Sequence, residues 1–205
     1  VELIVGLLWL SAVLHFGPTF TALRVAIFAT VMLGIAVTDF KHYVIPDGFT
    51  VSGLLFLLVT SIVSVFRGEP SPFALPYEAL IGACAGAGAV AIVGWLGEVV
   101  LKREAMGFGD VTLMAVIGAA VGPPRSLLVL FIGAALGAVT FVGVVYPVVR
   151  LRGAPRGEQI DLELGGSQAA LPEVPFGVFL APAAVFVLIW GDALMSWYLT
   201  TYLGG

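Results

Sequence analysis

Apolar residues run through the chain in long stretches, which short groups of polar residues, prolines and glycines separate from one another. A helix needs about 20 mainly apolar residues to cross ~30 Å of hydrocarbon, and most of these stretches approach that length. The pattern predicts an all-α, polytopic integral membrane helix bundle with about seven transmembrane segments, within a range of about six to eight. The predicted segments run from Val1 to Phe16, Phe20 to Val37, Gly48 to Val65, Ala79 to Leu101, Val111 to Val121, Leu127 to Val149 and Phe176 to Leu199. The fifth is short for a full span, so we expect it to be tilted or to begin inside the protein at membrane depth.

The composition supports the membrane class and removes most alternatives. Of the 205 residues, 60% are hydrophobic and 11% are charged, whereas soluble proteins have roughly 45–50% and about 25%. This balance disfavours soluble enzymes, nucleic-acid binders and secreted disulfide scaffolds. The single cysteine, Cys84, excludes an internal disulfide and a cysteine-cluster zinc site, and the net charge of -4 argues against a nucleic-acid partner. We expect one transmembrane domain over residues 1–205, with residues 151–175 as a loop within it, and the first residues lack a signal-peptide pattern.

The distribution of lysine and arginine predicts the orientation, because short loops rich in these residues stay preferentially in the cytoplasm. With seven spans, six basic residues fall on one side and three fall on or near the other. The six are Lys41, Lys102, Arg103, Arg150, Arg152 and Arg156, and the three are Arg24, Arg67 and Arg125. The loops after the second, fourth and sixth segments are therefore predicted to face the cytoplasm, in a protein of the cytoplasmic (inner) membrane.

Three segments carry glycines four residues apart, which lie on one helix face and let neighbouring backbones approach closely. The pairs are Gly82 and Gly86, Gly118 and Gly122, and Gly133 and Gly137. We interpret them as helix-packing positions. No long internal repeat accompanies them, which weighs against an inverted-repeat transporter.

Two of the 13 acidic residues lie where a loop meets an apolar segment, whereas most of the others lie in loops. Asp39 directly follows an apolar run, and Asp110 ends the tetrapeptide Gly107-Phe108-Gly109-Asp110 and opens the fifth segment. By the loop charges, both lie at the cytoplasmic boundary of the bilayer. A carboxylate there is costly unless it is paired, hydrated or used in function, so both are candidate functional residues.

Two converging aspartates suit one kind of chemistry. Carboxylates within a few ångström of each other cannot both ionise, so the pair shares a proton. The ionised member can take a proton from water while the protonated member polarises a peptide carbonyl, which hydrolyses a peptide without a covalent intermediate. The sequence has no HExxH helix for zinc and no base beside Cys84, so we expect neither a metal nor a cofactor. Gly107 and Gly109 permit positive φ and close backbone approach, and we expect them to form a turn that brings Asp110 to an extended substrate.

Three sequence blocks resemble those of a known family, the type IV prepilin peptidases. These are membrane aspartic proteases of the GxGD class, which also includes presenilin and the archaeal preflagellin peptidases. The first block is TDFKHYVIPD, which holds Asp39 and Asp47, and the second is GFGDVTLM, which holds Asp110. The third is VPFGVFLA, which holds Pro175 and Gly177 and has valine where the family commonly has proline.

The resemblance implies that Asp39 and Asp110 are the catalytic pair of an aspartic endopeptidase. Bifunctional bacterial members also carry a cytoplasmic insert with two CxxC pairs that bind zinc, together with amino-methyltransferase activity. This sequence has one cysteine and no such insert. Either it is a short peptidase-only form or it begins after that domain, and methyl transfer by this chain is not expected.

The other motif residues are expected to support the site and not to react. The role of Asp47 stays open. The family often has an acidic or amide residue there, whereas Pro46 and Asp47 before an apolar run are also an ordinary helix start. We favour the structural role. Pro175 and Gly177 are expected to shape the start of the last helix beside the active site.

The family's substrates are type IV prepilin and pseudopilin-like membrane precursors, which carry a short basic leader that is cut on the cytoplasmic side before an apolar helix. Glu158, Asp161 and Glu163 in the loop after the sixth segment would attract such a leader by long-range electrostatics, or they are only solvated loop charges. The expected partners are these precursors and the lipid bilayer, and the sequence does not predict an oligomeric state.

Two other function classes stay open. Aspartates beside glycine-broken helices also form sites in proton- or cation-coupled transporters, and Asp39 and Asp110 would then be the ion site. Both residues lie toward one face and not at the midplane, which disfavours this alternative. A structural assembly subunit would tolerate the loss of both carboxylates, whereas a peptidase would not.

Overall fold

The computed structural model describes residues 1–69, 71–102, 106–145 and 175–202. These residues form seven α-helices and one π-helical turn, Phe141–Val145, and they contain no strand. The helices are α1 (Glu2–Phe16), α2 (Phe20–His42), α3 (Asp47–Arg67), α4 (Pro76–Leu101), α5 (Phe108–Val121), α6 (Pro123–Thr140) and α7 (Gly177–Tyr202). The predicted all-helical bundle is confirmed. The predicted loop at 151–175 lies outside the described residues except for its last position.

Five of these helices are long and apolar enough to cross a membrane, which supports a multi-pass membrane protein. The two shorter ones are α1, with 15 residues, and α5, with 14. At 1.5 Å per residue, α5 is about 21 Å long, less than the ~30 Å of the hydrocarbon core. The expectation that the fifth segment is short for a full span is therefore confirmed.

The short helix α5 lies at the centre of the bundle, where it packs against α3, α4, α6 and α7. Every residue from Met114 to Val121 is buried except Ala115, which is partly buried. A helix that is apolar on all sides suits this position, because other helices surround it and it has no polar face. The central location also means that a residue at either end of α5 is close to several other helices.

The closest helix contact joins α4 to α5 through glycine. A methyl group added at Gly82 would lie 2.8 Å from Cα of Gly122 and even closer to the carbonyl oxygen of Gly118. One added at Gly86 would overlap another backbone carbonyl of α5, and the glycines of α6 face side chains of α7 in a similar way. The interpretation of the spaced glycines as packing positions is confirmed.

Two of the three arginines on the side with fewer basic residues are buried in the fold. Arg24 is 1% exposed, and its guanidinium group donates hydrogen bonds to the hydroxyl groups of Thr60 and Ser71. Arg125 is 9% exposed and forms an ion pair with Asp192 at 3.0 Å. These contacts join α2 to α3 and α6 to α7, so both arginines hold helices together at this end of the bundle.

The opposite end of the bundle, which we call the aspartate end, includes the C-terminus of α2 and the N-termini of α5 and α7. Two predicted helix boundaries are wrong here, because α2 continues to His42 beyond the predicted end at residue 37, and α5 begins at Phe108, before the predicted start at residue 111. Polar residues end the apolar runs without ending the helices. Asp39 and Asp110 consequently lie in the terminal turns of helices and not beside them.

Candidate active site

Asp39 lies in the last turn of α2, where Tyr43 closes the helix by donating its backbone N–H to the Asp39 carbonyl. The residue is 6% exposed, and its Oδ2 atom is buried without a hydrogen-bond partner among the described residues. The C-terminal end of a helix disfavours a nearby negative charge. A buried acceptor without a partner costs about 1–3 kcal/mol, so this carboxyl group occupies an energetically costly position.

The N-terminus of α7 faces this carboxyl group. A methyl group added at Gly177 would lie 2.8 Å from Oδ2 of Asp39, which is closer than real Cβ contacts allow. The backbone N–H groups of Gly177 and Val178 interact with the Asp39 carboxyl group, and the N-terminus of a helix favours negative charge. Glycine at position 177 therefore lets the positive end of α7 approach Asp39 directly.

Asp110 lies in the first turn of α5 and is partly buried. This helix is not one of the five long spans. Burial, followed by the negative charge of Asp39, raises the pKa of Asp110 from 3.8 to about 6, while the backbone N–H of Gly107 acts in the opposite direction. The fold thus brings the two predicted aspartates close enough for the charge of one to act on the other.

A buried isoleucine of the first sequence block, to which the sequence analysis gives no role of its own, lies between the helices of the site. Ile45, in the connection from α2 to α3, is 7% exposed, whereas the adjacent Val44 is 58% exposed. A methyl group added at Gly109 would lie 3.1 Å from Cβ of Ile45, and one added at Gly177 would lie 3.3 Å from its Cδ1. Ile45 therefore packs between α5 and α7 beside the aspartates. Hydropathy does not separate it from Val44, although Ile45 belongs to the first sequence block together with Pro46 and Asp47.

The expected turn with positive φ at Gly107 and Gly109 is wrong. Gly107 is the N-cap of α5 with a φ of -74°, and Gly109 lies inside the helix; neither has positive φ. The tetrapeptide is a helix start, because α5 begins before Asp110 and carries this residue in its first turn. The expected close approach is present at Gly109, where a larger side chain would press on Ile45.

The remaining predicted residues either begin helices or lie outside the described part. Pro46 is the N-cap of α3, and Asp47 is its first residue and is exposed, which is the position that the favoured structural role requires. Pro175 is partly buried and lies two residues before the first residue of α7. The candidate leader-binding residues Glu158, Asp161 and Glu163 lie outside the described residues.

The described residues hold no group of three or more histidine, cysteine, aspartate or glutamate side chains that could bind a metal. The site consists of two interacting carboxyl groups, the N-terminus of α7 and an apolar packing residue. Paired carboxyl groups with a raised pKa suit general acid–base chemistry near neutral pH.

Comparisons with known proteins agree on one family. The model of the type IV leader peptidase family matches residues 26–142. The prepilin leader peptidase/N-methyltransferase of Aeromonas hydrophila is 28% identical over 207 aligned residues, which cover 99% of this chain and 61% of that protein. The proteins of the same name from Stutzerimonas stutzeri and Pseudomonas aeruginosa are each 31% identical, over 97% of this chain and 60% of their own length. The chain thus spans about 60% of the length of these curated relatives. No solved structure matches the chain significantly.

The family match covers more than half of the chain and extends from α2 into the π-helical turn. It includes both aspartates and the GFGD tetrapeptide at the start of α5. The chain therefore belongs to the type IV leader peptidase family.

Proposed function

We propose that the protein is a membrane aspartic endopeptidase that removes the leader of type IV prepilin or pseudopilin-like precursors, with Asp39 and Asp110 as its catalytic pair. The observation that carries the proposal is the position of the two aspartates, which come from different helices and lie at one end of the bundle beside Ile45. Gly177 lies against both Asp39 and Ile45, and Gly109, the neighbour of Asp110, lies against Ile45. Family membership and the names of the relatives support both the reaction and the substrate class.

In the proposed mechanism, one carboxylate takes a proton from a water molecule while the water oxygen attacks the peptide carbonyl carbon. The protonated partner donates a hydrogen bond to the carbonyl oxygen and stabilises the negative charge that develops there. A proton then passes to the leaving amine as the C–N bond breaks, and the pair returns to its one-proton state. Because interacting groups titrate together, the shared proton belongs to the pair and not to one residue.

We place the active site at the cytoplasmic face of the inner membrane. At the aspartate end, Lys41 and Lys102 are exposed. At the opposite end, Arg24 and Arg125 are buried, where Arg24 donates a hydrogen bond and Arg125 forms an ion pair inside the fold. Among the described residues at that end, Arg67 is then the exposed cation. Exposed lysines and arginines concentrate on the cytoplasmic side, so this distribution supports the proposed orientation.

Two finer parts of the proposal concern the leader and methyl transfer. Attraction of a basic leader by Glu158, Asp161 and Glu163 rests on their negative charge alone. The chain contains no CxxC pair, which supports peptidase activity without methyl transfer by this chain. The alternative of an ion-coupled transporter receives no support from the family or the relatives.

The proposal is tested by cleavage of a purified prepilin-like precursor in detergent. Asp39→Asn and Asp110→Asn should each lower kcat by about 10²–10⁴, the usual contribution of a general acid or base. Glu98→Gln is the matched control, because Glu98 is an exposed acidic residue near the end of α4 at the aspartate end, and it should cleave at the wild-type rate. Wild-type rates for both aspartate variants would contradict the proposed pair.

A further inference from the structure

An apolar groove opens on the side of the bundle between α1 and α7. Its volume is about 460 Å³, and it is lined by residues of α1, α2 and α7. In the described part of the chain, α2 packs against both α1 and α7, which do not pack against each other. The floor of the groove therefore belongs to α2, with Leu33 and Ala36, while Ile4 of α1 and Val185 of α7 lie on opposite walls.

The groove leads to the candidate active site. Ala36 lies three residues before Asp39 on α2, and Val178 directly follows Gly177, whose Cα faces the Asp39 carboxyl group. The α7 wall extends from Val178 to Trp190, which corresponds to about 18 Å at 1.5 Å per residue. A helix of about 12 residues lying in the groove would therefore have one end beside the aspartates.

A proline leaves one backbone acceptor of the groove without its helical partner. Pro182 lies inside α7 and has no N–H, so the carbonyl of Val178, four residues earlier, lacks its usual hydrogen bond. Both residues line the groove. An acyl chain offers no donor to this carbonyl, whereas a peptide that has left the helical conformation presents free N–H groups. An unsatisfied carbonyl is costly in a membrane, so the groove suits a polypeptide better than a lipid tail.

We propose that this substrate groove binds the apolar helix of the precursor, with the unwound residues before that helix at the Val178 carbonyl and the scissile bond at Asp39. The proposal rests on the proposed function, because it assigns a binding site for the substrate of the same active site. Ala36 on the floor permits close approach of a second helix, and the apolar walls match an apolar segment. A substrate helix enters this groove from the bilayer, in the plane in which it is already held.

The first test fills the groove and compares two substrates. Leu33→Trp places a bulky side chain on the floor, and Leu55→Trp makes the same change at a position on α3 that is 60% exposed and outside the groove. The substrates are a full-length prepilin-like precursor and a short peptide that spans the cleavage site but lacks the apolar helix. For Leu33→Trp, the ratio of kcat/KM for the precursor to kcat/KM for the peptide should fall about tenfold, mainly through KM. For Leu55→Trp, this ratio should stay at the wild-type value.

The second test detects binding without cleavage and does not depend on the tryptophan variant folding. In a Cys84→Ala, Asp110→Asn background, Val185→Cys should form a disulfide with a cysteine placed in the apolar helix of the precursor, whereas Leu55→Cys should not. Asp110→Asn keeps the substrate intact during the measurement.

The outcomes separate the groove from the proposed function. An unchanged precursor-to-peptide ratio in Leu33→Trp, or an equal fall in Leu55→Trp, overturns the groove. The absence of a cross-link to Val185→Cys also overturns the groove. The same holds if a reactive acyl chain labels the groove and excess precursor does not prevent the labelling. If the wild type cleaves neither substrate, the proposed function fails, while a specific cross-link would still establish the groove as a helix-binding site.

Discussion

The substitution Gly177→Ala tests whether the N-terminus of α7 positions Asp39 for catalysis. The added methyl group would lie 2.8 Å from Oδ2 and 3.3 Å from Cγ of Asp39. Ordinary contacts begin near 3.4 Å, so the carboxyl group or the helix must move by about half an ångström. A displacement of about 1 Å at a reacting group can lower the rate about 10²-fold, and we expect kcat for precursor cleavage to fall roughly tenfold or more.

The same substitution should have little effect on stability. Gly177 does not have positive φ, so alanine can adopt its backbone conformation. Alanine also favours a helix over glycine by up to about 1 kcal/mol, which offsets part of the strain at Asp39. The expected change in the free energy of unfolding is within about 1 kcal/mol, measured by thermal unfolding in detergent.

Gly48→Ala is the matched control for this measurement. Gly48 also lies in the first turn of a helix at the aspartate end, and no heavy atom lies within 4 Å of the position of an added Cβ. Its kcat and KM should equal those of the wild type. If folded Gly177→Ala also keeps the wild-type kcat, the contact between α7 and Asp39 does not set the catalytic geometry. A rise in KM with unchanged kcat would refute the same reasoning, because it would place the effect on substrate binding.

Two further predictions concern stability. Gly82→Ala should lower the free energy of unfolding by about 1–3 kcal/mol, because its methyl group meets the rigid backbone of α5 at Gly118. Gly88→Ala on the same helix meets no heavy atom within 4 Å, so thermal unfolding should show an unchanged or slightly higher stability, because alanine favours a helix over glycine. Equal effects of the two substitutions would contradict the close packing. Asp110→Asn should stabilise the protein at pH 7.5 but not at pH 4. The pKa of Asp110 is raised in the folded state, so the wild type loses stability as the pH rises from 3.8 through about 6. This loss is about 3 kcal/mol at most, and about 1–2 kcal/mol after allowance for partial exposure. A pH-independent difference in melting temperature between wild type and Asp110→Asn would contradict this origin of the shift.

The apolar pattern was sufficient to predict the helices, since each of the seven predicted segments corresponds to one helix of the structure. It was less accurate for the helix ends on both sides of the bundle, because hydropathy reports where lipid contact ends and not where backbone hydrogen bonding ends. At the opposite end, for example, α6 begins at Pro123, before the predicted start at residue 127. The last turn of α2 contains the polar residues Asp39, Lys41 and His42 and remains helical. Two of the boundary errors, at the end of α2 and at the start of α5, fall at the turns that carry the candidate site.

The contacts between helices could not be predicted in the same way, because they depend on residues far apart in the sequence. The spacing of Gly82 and Gly86 indicated a packing face, but only the fold shows that α5 is its partner. Ile45 and Val44 are both apolar and adjacent, and only the positions of α5 and α7 bury one and expose the other. A proline inside a helix interrupts its hydrogen bonding wherever it lies, but the groove beside Pro182 exists only because α1 and α7 both pack on α2 without packing against each other.

The environment of Asp39 is costly for folding, which is an argument for function. A carboxyl group that served only packing would gain from a hydrogen-bond donor at Oδ2, and among the described residues none is present. An apolar side chain at this position would avoid the cost of the unpaired acceptor, and buried unsatisfied polar groups are rare in native proteins. The N-terminus of α7 packs directly on this atom, since a methyl group added at Gly177 would lie 2.8 Å from Oδ2. The proposed catalytic role accounts for a carboxyl group at this position despite its cost in stability.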